Sequence, residues 1–240
     1  MKLSLFYTSS IAMLAWFLTV TASQGAGVQI YTVPATANLY SAGLSSPVAP
    51  GGGGAGTLPI YIPVSADQSA FQFSASGSIT ENIWVGVYHG PDGGSIIGLT
   101  VYAYGGLSGF MTDLTLPLAG VFLSDSAPQD PAPPTLDFRS QGLGLDFLTL
   151  SPLNGQVFFI GDGQTSGGIA QTFNVPAGAT RLYLGCPDAP NGQDYPGTYD
   201  DNAGTLDVAV IAVPEPAAGA LGATVLALSV LLRRQKARPV

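Results

Sequence analysis

"GTLDVAVIAV", residues 204–213, alternates apolar and small or polar positions. Leu206, Val208 and Val210 fall on one face and Asp207 on the other, because successive strand side chains point to opposite sides of a sheet. The same period recurs outward through the chain. "SAFQFSASG" (69–77) puts Phe71, Phe73 and Ala75 on one face with Gln72 and Ser74 opposite, and "TLPIYIPV" (57–64) aligns Ile60, Ile62 and Val64. "GQVFFIGDG" (155–163) is apolar on both faces, as a central strand should be. "TFNVPAGATRLYLG" (172–185) reads as two strands around a Pro-Ala-Gly-Ala turn. Phe173, Val175, Leu182 and Leu184 face inward there, and Arg181 and Tyr183 face outward. Short Val/Ile/Phe/Tyr runs between Gly, Pro, Asp and Asn clusters predict an all-β body, a sandwich or a barrel.

Two stretches interrupt the pattern. "SAGLSSPVAPGGGGAGT" (41–57) is expected to be a flexible loop or linker. "LSDSAPQDPAPPTLDFRSQGLG" (123–144) holds too many prolines for a central strand and is expected to be a long surface loop.

The two ends read differently from the body. Lys2, the apolar run Ile11–Val20 and the small residues of "TASQGAG" form a secretory signal peptide, with cleavage open after Ala22, Gly25 or Ala26. At the other end, Ala217 to Leu232 are sixteen residues without a charge. They make about 24 Å of helix against a hydrocarbon core of about 30 Å, a marginal span. Arg233, Arg234, Lys236 and Arg238 follow and favour a cytoplasmic C-terminus. Pro214 and Pro216 keep "VPEP" extended just outside the membrane. The chain therefore divides into a signal peptide (1–26), an N-terminal strand with a Gly/Pro-rich linker (27–57), a β-sandwich domain (58–212) and a terminal segment (213–240) with its membrane helix at 217–232.

Charge excludes one large class of partner. From Gly27 to Val213 only Arg139 and Arg181 stand against fourteen acids, a net charge of −12. Nucleic-acid binders neutralise phosphates with Lys and Arg, so nucleic acid is not a partner. The same surface suits a hard cation such as calcium, which takes carboxylate and carbonyl oxygens. Cys186 is alone, so no internal disulfide forms. It reads as a small, half-buried strand residue, with an intermolecular disulfide as the alternative. One histidine, no Gly-x-Ser-x-Gly elbow and no His/Glu zinc pattern leave no catalytic constellation, and the chain is expected not to be an enzyme. Asp162 and Asp188 read as turn residues.

"QDYPGTYDDNAG" (193–204) carries the remaining chemistry. Asp194, the Thr198 carbonyl, Asp201 and Asn202 can supply several of the six to eight oxygens calcium takes from one curved loop. The same composition also suits a plain hairpin tip.

Two resemblances extend this reading. Val213-Pro214-Glu215-Pro216, a short apolar helix and the cluster at Arg233 and Arg234 resemble the PEP-CTERM sorting signal. This implies signal peptidase and a membrane exosortase as processing partners. The product would be anchored by its helix and then placed in the cell envelope or extracellular matrix. "VPAGATRLYLG…DYPGTYDDNAGTLDVAV" resembles the C-terminal half of the calcium-dependent galactophilic PA-IL-type lectins, in which Asp-x-Pro-Gly-Thr-x-x-Asn-Asn precedes the last strand. Asp194, Pro196, Gly197, Thr198 and Asn202 match it, with Asp201 in place of the first Asn. The resemblance implies an antiparallel β-sandwich of galactose-binding-like, jelly-roll type. It also implies a further calcium ligand, a carbonyl near Glu81 after "FSASGSITEN". A glycan would then be held at the calcium by Asp194 and Asp201, with His89 of "VYHGPDGG" as the neighbouring histidine. The implied function is a calcium-dependent carbohydrate-binding module. The alternative is a structural surface protein in which calcium only braces a loop.

Replacing Pro214, Glu215 and Pro216 together by alanine is expected to leave the full-length chain in the membrane of its native host. Immunoblots of membrane and soluble fractions check this, and normal release of the body overturns the sorting reading.

Overall fold

The computed structural model describes residues 27–94 and 98–215. The signal peptide, the membrane helix at 217–232, Pro216 and the cluster at Arg233 and Arg234 lie outside the described residues. Among those described, no helix is long and apolar enough to cross a membrane.

The body is all-β. Its strands are β1 (Gln29–Pro34), β2 (Ile60–Pro63), β3 (Gln68–Thr80), β4 (Leu99–Val101), β5 (Phe110–Thr112), β6 (Ala119–Leu123), β7 (Leu136–Asp137), β8 (Thr149–Leu150), β9 (Val157–Phe159), β10 (Thr172–Asn174), β11 (Arg181–Gly185), β12 (Gln193–Asp194) and β13 (Ala203–Pro214). They form three sheets, ordered β1-β13-β3-β10-β8, β2-β11-β6-β9 and β12-β4-β5-β7. The long pairings are antiparallel. The short pairs β8–β10, β4–β12 and β5–β7 are parallel, so the sheets are not purely antiparallel.

The period-two pattern sets which faces meet. Phe71, Phe73 and Phe173 of the five-stranded sheet point at Phe122 and Phe158 of the β2-β11-β6-β9 sheet. Ring centroids lie 6.0 Å apart for Phe71–Phe122 and 5.4 Å for Phe158–Phe173. Phe138 joins the third sheet to this stack, 5.7 Å from Phe110 and 5.9 Å from Phe159. Leu206 and Val208 are fully buried and Asp207 is exposed, where it accepts a hydrogen bond from the Thr32 hydroxyl at 2.8 Å.

Several expectations change in the structure. β10 and β11 flank the Pro-Ala-Gly-Ala turn but do not pair. β10 joins β3 and β8, and β11 joins β2 and β6, so the turn carries the chain from one sheet to the other. Residues 27–57, expected to be a strand and linker ahead of the domain, are part of it. β1 pairs with β13 along its whole length, and Ala35, Ala37, Leu39 and Tyr40 enter the core. The Tyr40 hydroxyl donates to the Ser108 carbonyl, so the buried ring keeps a polar partner. The glycine-rich stretch is likewise held. Asn38, fully buried, donates from Nδ2 to the Val48 and Ala55 carbonyls at 2.7 and 3.0 Å. Cys186 is fully buried beside Asn38, and burial pushes its thiol far above the ordinary range. A thiol in that state does not reach a second chain.

β3 and β13 also fix two poles. Gln68 pairs with Pro214 at one end and Thr80 with Ala203 at the other. At the usual strand rise, the poles lie roughly 35 Å apart. Val213 and Pro214 are extended as the last residues of β13, and the Glu215 N–H donates to the Asp67 carbonyl at 2.8 Å. β1 begins towards that pole too, with Gln29 opposite Val210.

Phe173 meets the rings of Phe73 in β3, Phe158 in β9 and Phe147 just before β8. Phe173→Ala is expected to cost about 3–5 kcal/mol, read as a lower urea midpoint. A change below about 1 kcal/mol would contradict the central place given to this ring.

Candidate functional site

The pole away from the ends of the described chain holds a cavity of about 400 Å³. Its walls come from the turn after β3 (Glu81, Asn82, Val85, Val87), from the chain after β11 (Asp188, Ala189) and from the acidic loop before β13 (Thr198, Asp201). One buried hydroxyl joins the last two. Tyr199 is fully buried, and its hydroxyl donates to the Cys186 carbonyl at 3.0 Å while accepting the Asp188 N–H at 3.1 Å. The end of β11 is thereby fastened to the Pro-Gly-Thr-Tyr turn.

The glycine-rich stretch closes over the outside of that turn. Gly51 N–H donates to the Pro196 carbonyl at 2.9 Å, and Thr198 N–H to the Gly52 carbonyl at 2.8 Å. Side chains would prevent the approach. A Cβ on Gly54 would lie 2.5 Å from the Asp200 Cβ, at a φ of +78° that favours glycine. A Cβ on Gly197 would collide with the Gly52 carbonyl. Thr198 itself sits at a φ of +66°, held there by these bonds.

Three acceptor oxygens at this pole are buried and receive no hydrogen bond: Asp188 Oδ2, Asp201 Oδ1 and Asn202 Oδ1. Asp188 and Asn202 are each only 7% exposed. The other Asp188 oxygen is engaged by the Ala189 N–H at 2.8 Å, and Asn202 Nδ2 is directed at the Ala35 carbonyl at 3.3 Å. Burial pushes the Asp188 carboxyl well above the ordinary carboxylate range. The Asn202 amide and the Ala189 N–H pull the other way, and the charges of Asp201 and Glu81 add to the rise. Asp201 is raised as well, first by burial and then by Asp200 and Glu81, against a backbone hydrogen bond. Buried acceptors without donors are rare in folded proteins. Two carboxylates and an amide on neighbouring side chains carry oxygens of the kind a hard cation takes. The Thr198 and Glu81 carbonyls border the same space and receive no hydrogen bond from the described residues.

The sequence-selected residues divide accordingly. Thr198, Asp201 and Glu81 line the cavity together, and Asn202 is buried beside Asp188 without lining it. Asp194 does not join them: it lies in β12 opposite Val101, and its Oδ1 accepts the Tyr195 N–H at 2.7 Å. Seven residues of chain, Ala189 to Tyr195, bulge between the end of β11 and the Pro-Gly-Thr turn, and they carry Asp194 outward. Asp188 takes the place expected of it. The available signal was position, since Asp188 comes two residues after Cys186, at the end of the apolar run that forms β11. His89 is not a free loop residue. Its backbone pairs with Ile79, its ring is 10% exposed, and Nε2 lies 3.0 Å from Glu81 Oε2 with Nδ1 3.0 Å from the Gly90 carbonyl. Glu81 Oε1 also accepts the Thr115 hydroxyl at 3.3 Å. The Glu81 carboxylate is thus engaged on both oxygens. Among the described residues, no group of three or more His, Cys, Asp or Glu side chains is spaced to hold a metal. Comparison with protein-family models and with curated proteins finds no match for the chain.

Because Asp188 and Asp201 hold their protons more tightly when folded, the folded chain binds more protons than the unfolded one above about pH 4, the ordinary Asp value. Without calcium, stability is therefore expected to fall as pH rises from there through the raised range. Asp188→Asn is expected to flatten that fall in urea melts run across pH with chelator. An unchanged slope would show that Asp188 is not the source.

Proposed function

We propose that this chain is an exported envelope protein whose body is an antiparallel-rich β-sandwich of galactose-binding-like type. The cavity at its far pole binds calcium and, through calcium, carbohydrate. The observation that carries the reading is the trio of buried, donorless oxygens on Asp188, Asp201 and Asn202. The Thr198 and Glu81 carbonyls complete a set of hard oxygen donors, and the cavity beside them leaves room for ligand hydroxyls. The sandwich assignment is supported by the phenylalanine layer between two facing sheets. The terminal segment from Val213 to the basic cluster is read as the exosortase-processed sorting signal. His89 acts on this reading through Glu81, as a positioning residue, and Asp194 has no part in the site.

Calcium that binds only the folded chain stabilises it by about 2.7 kcal/mol at 100 times its dissociation constant. Extracellular sites commonly bind at roughly 0.1–1 mM, so millimolar calcium is expected to raise the melting temperature visibly. Asp188→Asn and Asp201→Asn abolish the rise, and Asp194→Asn keeps it. Magnesium substitutes poorly because it demands tight octahedral geometry. Identical melts with calcium and with chelator would remove the metal site. A calcium shift without calcium-dependent retention on polysaccharide would assign the ion a bracing role only.

A further inference from the structure

One wall of the cavity continues into an uncharged turn, Ile83-Trp84-Val85-Gly86-Val87-Tyr88. Its large side chains stand in water: Trp84 is 78% exposed, Val85 63% and Ile83 51%. A contiguous apolar patch of this kind marks a surface that meets a partner.

The turn is fixed in that posture. Asn82 Oδ1 accepts the N–H groups of Trp84 and Val85 at 3.0 and 3.1 Å, and the Asn82 carbonyl accepts those of Val85 and Gly86. Ile83 N–H donates to the Asp201 carbonyl at 2.8 Å, and His89 pairs with Ile79 at the far side. The apolar face is therefore tied to the same residue that offers a donorless oxygen to the cavity. Val85 and Val87 line the cavity together with Asp188 and Asp201.

A ligand for this pole must present oxygens to the cavity and an apolar face to the turn. Charge narrows the class. Glu81, Asp188 and Asp201 line the cavity and Asp200 lies close to Asp201; among the described residues His89, on Glu81, is the basic side chain beside them, so a single divalent cation leaves the pole negative. An anionic lipid headgroup or a charged polysaccharide is repelled, as is a second copy of a body carrying −12. A neutral sugar chain is not, since each ring has hydroxyls at its edge and a C–H face.

We propose that the Ile83–Tyr88 turn is a second sugar subsite. A neutral oligosaccharide places one residue at the cation cavity and lays the C–H face of the next across Trp84. This rests on the calcium–carbohydrate reading above, and fixes the ligand as a neutral chain of at least two residues.

The full chain with Trp16→Phe leaves Trp84 as its sole tryptophan. With calcium present, titration with neutral galactan, glucan and mannan oligosaccharides is expected to shift Trp84 emission to the blue for at least one of them, and chelator reverses the shift. Trp84→Ala is expected to weaken that oligosaccharide about tenfold or more, the scale of losing a buried tryptophan anchor. The calcium-induced melting shift stays intact, and Trp84→Phe restores most of the affinity. Undiminished oligosaccharide binding by Trp84→Ala, beside a normal calcium shift, overturns this inference alone. So does a Trp84 signal that answers only to vesicles of phosphatidylcholine and phosphatidylglycerol, or only to self-association seen by sedimentation. A missing calcium shift removes the underlying reading and this inference with it.

Discussion

The Tyr199 hydroxyl is the joint on which the polar end of this protein is built. It is buried between the Cys186 carbonyl and the Asp188 N–H, where a hydroxyl can satisfy both an acceptor and a donor. Its backbone belongs to the acidic loop, and its two partners belong to the end of β11. Gly51 to Gly56 close over the loop from outside, with backbone lying on backbone. Asp188 and Asp201, thirteen residues apart, come to face one cavity because these contacts leave the intervening bulge nowhere else to go. A phenylalanine at Tyr199 would fill the same space and leave the Asp188 N–H without its acceptor.

That arrangement gathers like charge where it is expensive. Asp188 is almost wholly buried and Asp201 partly; the charges of Asp201 and Glu81 add to the proton affinity of Asp188, and those of Asp200 and Glu81 to that of Asp201. Desolvated carboxylates without donors are tolerated when a proton or a cation offsets them. The proton serves in acid; on the reading proposed above, a hard cation would serve near neutrality. Only two arginines balance the body's fourteen acids, and Arg139 is already spent on Asp137 at 2.7 Å. The surrounding protein therefore offers little to compete for that role.

The strands were legible because one face of each is buried and the period of two survives in β3, β13 and the Phe173 segment. Their assignment to sheets was not. Whether Phe173 and Leu182 share a hairpin or face each other across a core depends on pairings far away in the chain. The glycine-rich stretch was misread for a physical reason. The same composition that makes a free linker also permits a close backbone approach, and only the partner at 196–200 tells them apart. Asp194 and Asp188 exchanged places on similar grounds. Motif spacing favours Asp194, but the bulge through Asn191, at a φ of +53°, carries it to the β4 side. Of the five positions, Glu81, Thr198 and Asp201 line the cavity, and Asn202 is buried beside Asp188.

β13 has a mechanical consequence. Asp201 and Asn202 immediately precede its first residue, and Glu215 immediately follows its last. Tension between a ligand held at the cavity and an attachment beyond Glu215 would run along one continuous, already extended strand, near the full reach of its backbone. The pull would pass through covalent bonds rather than peel β13 from β1 and β3. The rest of the body would then hold the cavity in shape without carrying the pull.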